Sequence, residues 1–285
     1  MSTTPTPRVI LETLLPHLKV AAGYARQIQS RLTALPDKAG GDNVFATALT
    51  DADLAIQNLV EVVLLGTFPE IRFYGEEHEQ SRNTKYFRSI ELGSHDDYLV
   101  TLDPIDGTRF YLDGHSNYQI ILTVLNTDDY EAVLAISPAE NIYFYALRGE
   151  GAFSGSLEMN LKDCTPLQIK PHGKRVFLGF KMSHLAPPLK GQYEVISIDT
   201  DYSNNFQTPN LNNLLTGDFC GAVTRSGNFI DGGALAFLAR EAGFIVTTLE
   251  GYDLPPLHTC VDYKLPGLIV ANSREVHKDL LAALT

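Results

Sequence analysis

Apolar residues at Leu11, Leu14, Leu15, Leu18, Ala21, Ala22, Ala25, Ile28 and Leu32 recur at three- and four-residue intervals. That is the period of a helix with one buried face. The spacing predicts a helix from about Arg8 to Leu35, with Pro16 kinking it or marking its start. A loop over 36–42 follows. Ile56, Leu59, Val60, Val63 and Leu64 form a second stripe, predicting a helix from Thr50 or Asp51 to about Leu65, with Thr50 as its N-cap and Pro69 beyond its end. The pattern then changes to short apolar runs. Tyr98–Leu102, Ile120–Leu125, Ala132–Ile136 and Ile142–Ala146 read as strands, and the turn-like separators at 126–129 and 138–141 suggest an antiparallel meander. Farther on the pattern predicts strands near Val176–Phe180 and Tyr193–Ile198, a polar loop at Thr200–Asn210 and a helix at Gly233–Ala242. Strands near Phe244–Thr248 and Leu268–Ala271 and a terminal helix from about Arg274 complete it. The class is α+β (mixed α/β), with layers of both elements. A boundary near Gly155–Leu161 divides the chain into halves 1–158 and 159–285.

Composition narrows the partners. With 285 residues the chain can bury a large core. A net charge of -12 repels a polyanion, so a nucleic acid polymer is not an expected partner. Cys164, Cys220 and Cys260 are scattered, odd in number and fit no zinc spacing, which predicts reduced thiols and a cytoplasmic protein. No basic-then-apolar leader and no apolar run of membrane-spanning length is present, so no membrane association is expected.

The densest chemistry lies at Asp103-Pro104-Ile105-Asp106-Gly107-Thr108, directly after the strand ending at Leu102. Proline fixes its own φ and glycine permits a reversal, so the strand is expected to stop there and turn. Two carboxylates brought together in such a turn repel each other unless a cation lies between them, and hard cations such as Mg2+ take oxygen ligands. The competing reading is a solvated surface turn, since Asp, Pro and Gly are ordinary turn residues. Glu76 and Glu77 follow Phe73-Tyr74-Gly75, and could equally open an exposed acidic helix. Asp231 precedes Gly232-Gly233-Ala234 and Asp51 opens the second predicted helix; both also suit helix N-termini. These acids come from four separate places, each at an element end.

In this combination and order, the chain resembles the inositol monophosphatase superfamily of Mg2+-dependent, Li+-sensitive phosphomonoesterases. The matching segments are Asp51, Gly75-Glu76-Glu77, Asp103 to Thr108 and Ile230-Asp231, supported by Arg148-Gly149-Glu150-Gly151-Ala152-Phe153 and Glu241-Ala242-Gly243. The resemblance implies a layered αβαβα sandwich and a small phosphorylated substrate, most simply an inositol or related polyol phosphate. It also implies two or three Mg2+ ions and a homodimer. Glu76, Asp103 and the Ile105 carbonyl would hold a first ion; Asp103, Asp106 and Asp231 a second; Glu76 would reach a third through water. Gly107 and Thr108 would offer N–H groups to the phosphate. Asp51 and Thr108 would orient and deprotonate the attacking water, with no covalent intermediate.

The chain departs from the family pattern in two places. Ile230 replaces a tryptophan, and the stretch between Asp201 and Asp231 is compressed. After Thr108, Arg109-Phe110-Tyr111-Leu112-Asp113-Gly114 is closer to the bisphosphate-nucleotide phosphatase branch, in which Arg109 would touch a second phosphate; the same arginine also reads as a solvated charge. A 3′(2′),5′-bisphosphate nucleotide or fructose 1,6-bisphosphate is therefore an alternative substrate, and a non-catalytic binding protein is an alternative of a different class. The spacing of three between Asp103 and Asp106 disfavours the haloacid-dehalogenase mechanism, whose aspartates are two apart. No nucleophile elbow or Walker loop is present.

Overall fold

The computed structural model describes residues 4–32, 50–77, 92–93, 97–169, 173–203 and 212–285. The loop expected at 36–42 lies outside these residues, as does most of the polar loop at 200–210. The chain forms two compact units, 1–147 with 154–165, and 148–153 with 166–285.

In the first unit, α1 (Pro7–Ile28) is capped by Thr6, whose hydroxyl accepts from the Val9 N–H at 3.3 Å; Pro7 stands where no helical N–H is needed. Its buried face is the predicted stripe, Ile10 to Ala25, and Pro16 lies inside the helix rather than at its start. Helix α2 (Asp51–Thr67) opens with a capping box, in which Thr50 and Asp53 satisfy each other's backbone N–H groups. Strands β1 (Arg72–Gly75), β2 (Leu99–Asp106), β3 (Gln119–Leu125), β4 (Tyr130–Ser137) and β5 (Ile142–Leu147) pair in chain order. The β1–β2 pair is parallel and the others antiparallel, so the expected meander is present. Strands β6 (Gly151–Ser156) and β7 (Thr165–Pro166) extend the same order. Helix α1 packs on α2 and β4, and α2 packs on β2.

The expectation that β2 stops before the proline is corrected: the strand continues through Pro104 to Asp106. Asp103 pairs with Ile121 and Asp106 with Gln119, so Pro104 and Ile105 together oppose the single residue Ile120. This is a β-bulge, and it accommodates a residue with no N–H to donate. The reversal comes one step later, at Gly107 (φ 86°), and leads into the short helix α3 (Thr108–Leu112).

In the second unit, β8 (Arg175–Leu178), β9 (Glu194–Ser197), β10 (Gly221–Thr224), β12 (Ile245–Thr248) and β14 (Leu268–Ala271) form a sheet in the order β12-β14-β10-β8-β9, parallel at β9–β8–β10 and antiparallel elsewhere. Strands β11 (Gly227–Asn228) and β13 (Lys264–Leu265) make a small separate ladder. One-turn helices α4 (Ala186–Leu189), α5 (Ile198–Asp201) and α6 (Asn213–Thr216) lie in the connections. Helices α7 (Gly232–Glu241) and α8 (Arg274–Ala283) are the two predicted late helices. Val176, Leu178, Val223, Ile269, Val276 and Leu280 belong to one buried cluster. Among the described residues, no helix is long and apolar enough to cross a membrane.

Candidate active site

The bulge in β2 decides what Asp103 and Asp106 can do. In an uninterrupted strand, residues three apart point to opposite faces. The extra residue restores the phase, so Asp103 and Asp106 share a face with their partners Ile121 and Gln119. Asp103 is only 3% exposed. Glu76 follows β1, and its N–H donates to the Leu102 carbonyl at 3.1 Å, which carries the Gly-Glu-Glu segment alongside β2. Glu76 and Asp106 interact: removal from water, followed by the charge of Glu76, pushes Asp106 up to about 6, against a lowering by its hydrogen bond from Gln119.

The Gly-Glu-Glu segment is held to α2 by Gln57. Its Oε1 accepts from the Glu77 N–H at 2.9 Å, and its Nε2 donates to Glu61 Oε1 at 3.3 Å. A Cβ on Gly75 would collide with the Gln57 side chain, which would have to move to admit it.

Thr108 is 5% exposed at the start of α3. Its Oγ1 lies 3.1 Å from Asp53 Oδ1 and 2.8 Å from the Ile105 carbonyl oxygen. The sequence reading paired Thr108 with Asp51; the structure brings Asp53 to it instead. Asp51 is the first residue of α2 and is exposed. Asp53 is fully buried, and the capping box commits one of its oxygens, Oδ2, to Thr50, which aims Oδ1 at Thr108. The missed signal was present in the sequence: a Thr-x-x-Asp spacing marks an N-cap and its N3 partner, and N3 faces the core here.

The remaining expected residues are placed as follows. Gly107 and Thr108 lie at the α3 start. Arg109 Nε lies 3.3 Å from Asp113 Oδ2, an ion pair one helical turn apart with the Arg109 side chain 38% exposed. Asp231 belongs to the second unit, where it caps α7 and accepts from the Gly232 N–H. The glycine-rich segment and Glu241 meet each other there: Glu241 Oε2 accepts from the Gly149 and Gly151 N–H groups at 3.0 and 3.3 Å. These two motifs therefore brace one another.

Among the described residues, no three His, Cys, Asp or Glu side chains form a ready-made metal cage. The oxygen donors nevertheless suit Mg2+, which keeps several waters and takes one or two carboxylates plus substrate oxygens. Two half-buried carboxylates whose charges oppose each other, Glu76 and Asp106, are also what a cation relieves.

Together these features define a class: mixed α/β proteins with two carboxylates set on one face of a bulged strand, beside a buried hydroxyl–carboxylate pair. The chain belongs to the inositol monophosphatase family, whose sequence model matches residues 12–285. A curated relative from Neisseria meningitidis, described as a putative Nus factor SuhB, is 27% identical over 173 residues. That match spans 57% of this chain and 64% of the relative. Among solved structures, a Thermotoga maritima IMPase aligns with a TM-score of 0.72 at 17% identity, covering 96% of both chains. An IMPase/NADP phosphatase complexed with Mg2+ and phosphate aligns at 0.66 with 20% identity, covering 94% of this chain and 92% of its own. At these identities the structural likeness establishes the fold.

Proposed function

We propose that this protein is a Mg2+-dependent phosphomonoesterase acting on a small phosphorylated polyol. The observation that carries the reading is the β2 bulge, which sets Asp103 and Asp106 on one face, with the charge of Glu76 acting on Asp106 and the Thr108–Asp53 pair immediately after it. Glu76, Asp103, the Ile105 carbonyl and Asp106 would hold the metal; Asp231, which the family resemblance also implies, belongs to the second unit. Mg2+, when bound, supplies polarised phosphoryl oxygens and a water of lowered pKa.

The chain's own groups account for the rest. The backbone N–H groups of Gly107 and Thr108 receive phosphate oxygens. The attacking water donates a proton to Thr108 Oγ1, which passes its own to Asp53 Oδ1, so the buried carboxylate ends as the acid. The bond from phosphorus to the leaving oxygen breaks as the water oxygen bonds to phosphorus, and the products are an alcohol and inorganic phosphate. Asp53 takes the role first expected of Asp51. The Arg109–Asp113 ion pair supports a monophosphate over a bisphosphate substrate. The charge of -12 supports a small phosphate ester over a nucleic acid polymer.

The test is phosphate release from myo-inositol 1-phosphate, fructose 1,6-bisphosphate and adenosine 3′,5′-bisphosphate, with and without Mg2+, in wild type and Asp103→Asn. The expected result is Mg2+-dependent release, greatest on the inositol phosphate, that falls by at least about 100-fold in the variant, more than the loss of an outer partner. Undiminished turnover in Asp103→Asn would sink the proposal. Tight binding of a phosphate ester with no hydrolysis would favour the non-catalytic alternative.

A further inference from the structure

Gln119 opens β3 and is fully buried. A buried strand position normally carries an apolar side chain, as the next three residues, Ile120, Ile121 and Leu122, do. A buried amide is tolerated only where it has a partner. The partner here is Asp106: Gln119 Nε2 lies 2.8 Å from Asp106 Oδ2. An ionised carboxylate only accepts hydrogen bonds, so the amide nitrogen is the group that faces it. The two residues are also register partners across the bulge, so the backbone ladder fixes the distance between their Cα atoms. Gln119 therefore holds Asp106 in one orientation.

We infer that Gln119 is a positioning residue that selects the divalent cation. It engages one lone pair of Oδ2 and so favours contact with the ion through Oδ1. Donation through a single oxygen suits Mg2+, which is small, demands octahedral geometry and retains waters. Ca2+ gathers six to eight oxygens and can take a carboxylate through both of its own. A carboxylate with one oxygen tied to a buried amide thus discriminates against Ca2+. The inference rests on the reading of Asp106 as a metal ligand.

The experiment is calorimetric binding of Mg2+ and of Ca2+, without substrate, to wild type and to Gln119→Met, which keeps the volume but removes the donor. Mg2+ affinity is expected to fall by about 10- to 100-fold, the range for loss of an outer-shell partner. Ca2+ affinity should fall much less, so that the preference shifts toward Ca2+. If Gln119→Met does not fold, Gln119→Asn, which withdraws the amide by one methylene, carries the same expectation. A purely structural role would lower both affinities together, and that result, or an unchanged ratio, overturns the inference. Wild-type protein that binds neither ion overturns it along with the metal-site reading. Turnover is scored separately: if wild type binds Mg2+ yet hydrolyses no phosphate ester, only the hydrolase reading fails, and the ratio of affinities still decides the role of Gln119.

Discussion

Asp51 and Asp53 are two residues apart, carry the same functional group and sit in the first turn of α2, yet they have opposite surroundings. Asp51 at the first helical position faces solvent, where a carboxylate contributes at most about 1 kcal/mol through the helix dipole. Asp53 is buried, accepts from Thr50 with one oxygen and faces Thr108 with the other. Asp53→Asn keeps the size but removes the proton acceptor, so turnover is expected to fall by about 10²- to 10⁴-fold, the range for a general base. Asp51→Asn should leave turnover within about twofold. Comparable losses in the two variants, measured as phosphate release at saturating Mg2+, would overturn the assignment of Asp53. The sequence shows that an acid opens α2, and its Thr-x-x-Asp spacing carries the phase that turns Asp53 inward; the capping box in the structure fixes that phase of the first turn.

At the scale of elements, the site depends on how α2 meets the end of β1. Gln57 links them by accepting from the Glu77 N–H, and it lies where a Cβ on Gly75 would be. Gly75→Ala therefore displaces Gln57 and the Glu76–Glu77 backbone together. The expected cost is about 1–3 kcal/mol of stability, typical of overpacking, with a larger proportional loss of Mg2+-dependent turnover. Adding Gln57→Ala should restore part of the stability, since it clears the collision; thermal melting of the two single variants and the double variant reads this coupling. Additive losses would mean that Gly75 and Gln57 do not share the contact. The helices α1, α2, α7 and α8 and the meander β3–β5 were legible because each buries a regular face, repeating every three or four residues or running apolar between turns. Strand β10 was not: it is four residues long, begins with Gly221 and is buried, so it lacks alternation, although it is the strand that joins β8 to β14. The bulge was also illegible, because Pro104 reads as a strand end until Asp106 is seen to resume the ladder with Gln119.

For the molecule as a whole, an acidic chain that gathers carboxylates away from water should show it in its stability. Asp106 is raised from 3.8 to about 6 in the folded protein, chiefly by burial. Between those values the folded state binds more protons at this group than the unfolded state does. Stability from this source is thus present at the acid end and is lost as pH rises through about 6. His277, lowered by burial, acts in the opposite sense, since its folded form resists the proton that the unfolded chain takes up as pH falls. The two can be separated with Mg2+, which binds the ionised carboxylate and so stabilises the folded protein more as pH rises across the Asp106 range. Melting temperatures across pH 4 to 8, with and without Mg2+, are expected to show a metal-induced increase that grows up to about pH 6 and then levels. In Asp106→Asn the metal-induced increase should be smaller and its growth near pH 6 lost, while the contribution of His277 persists in the metal-free curve. A wild-type increase that is the same at every pH would remove Asp106 from the metal's ligands, because a cation bound to that carboxylate must compete with its proton.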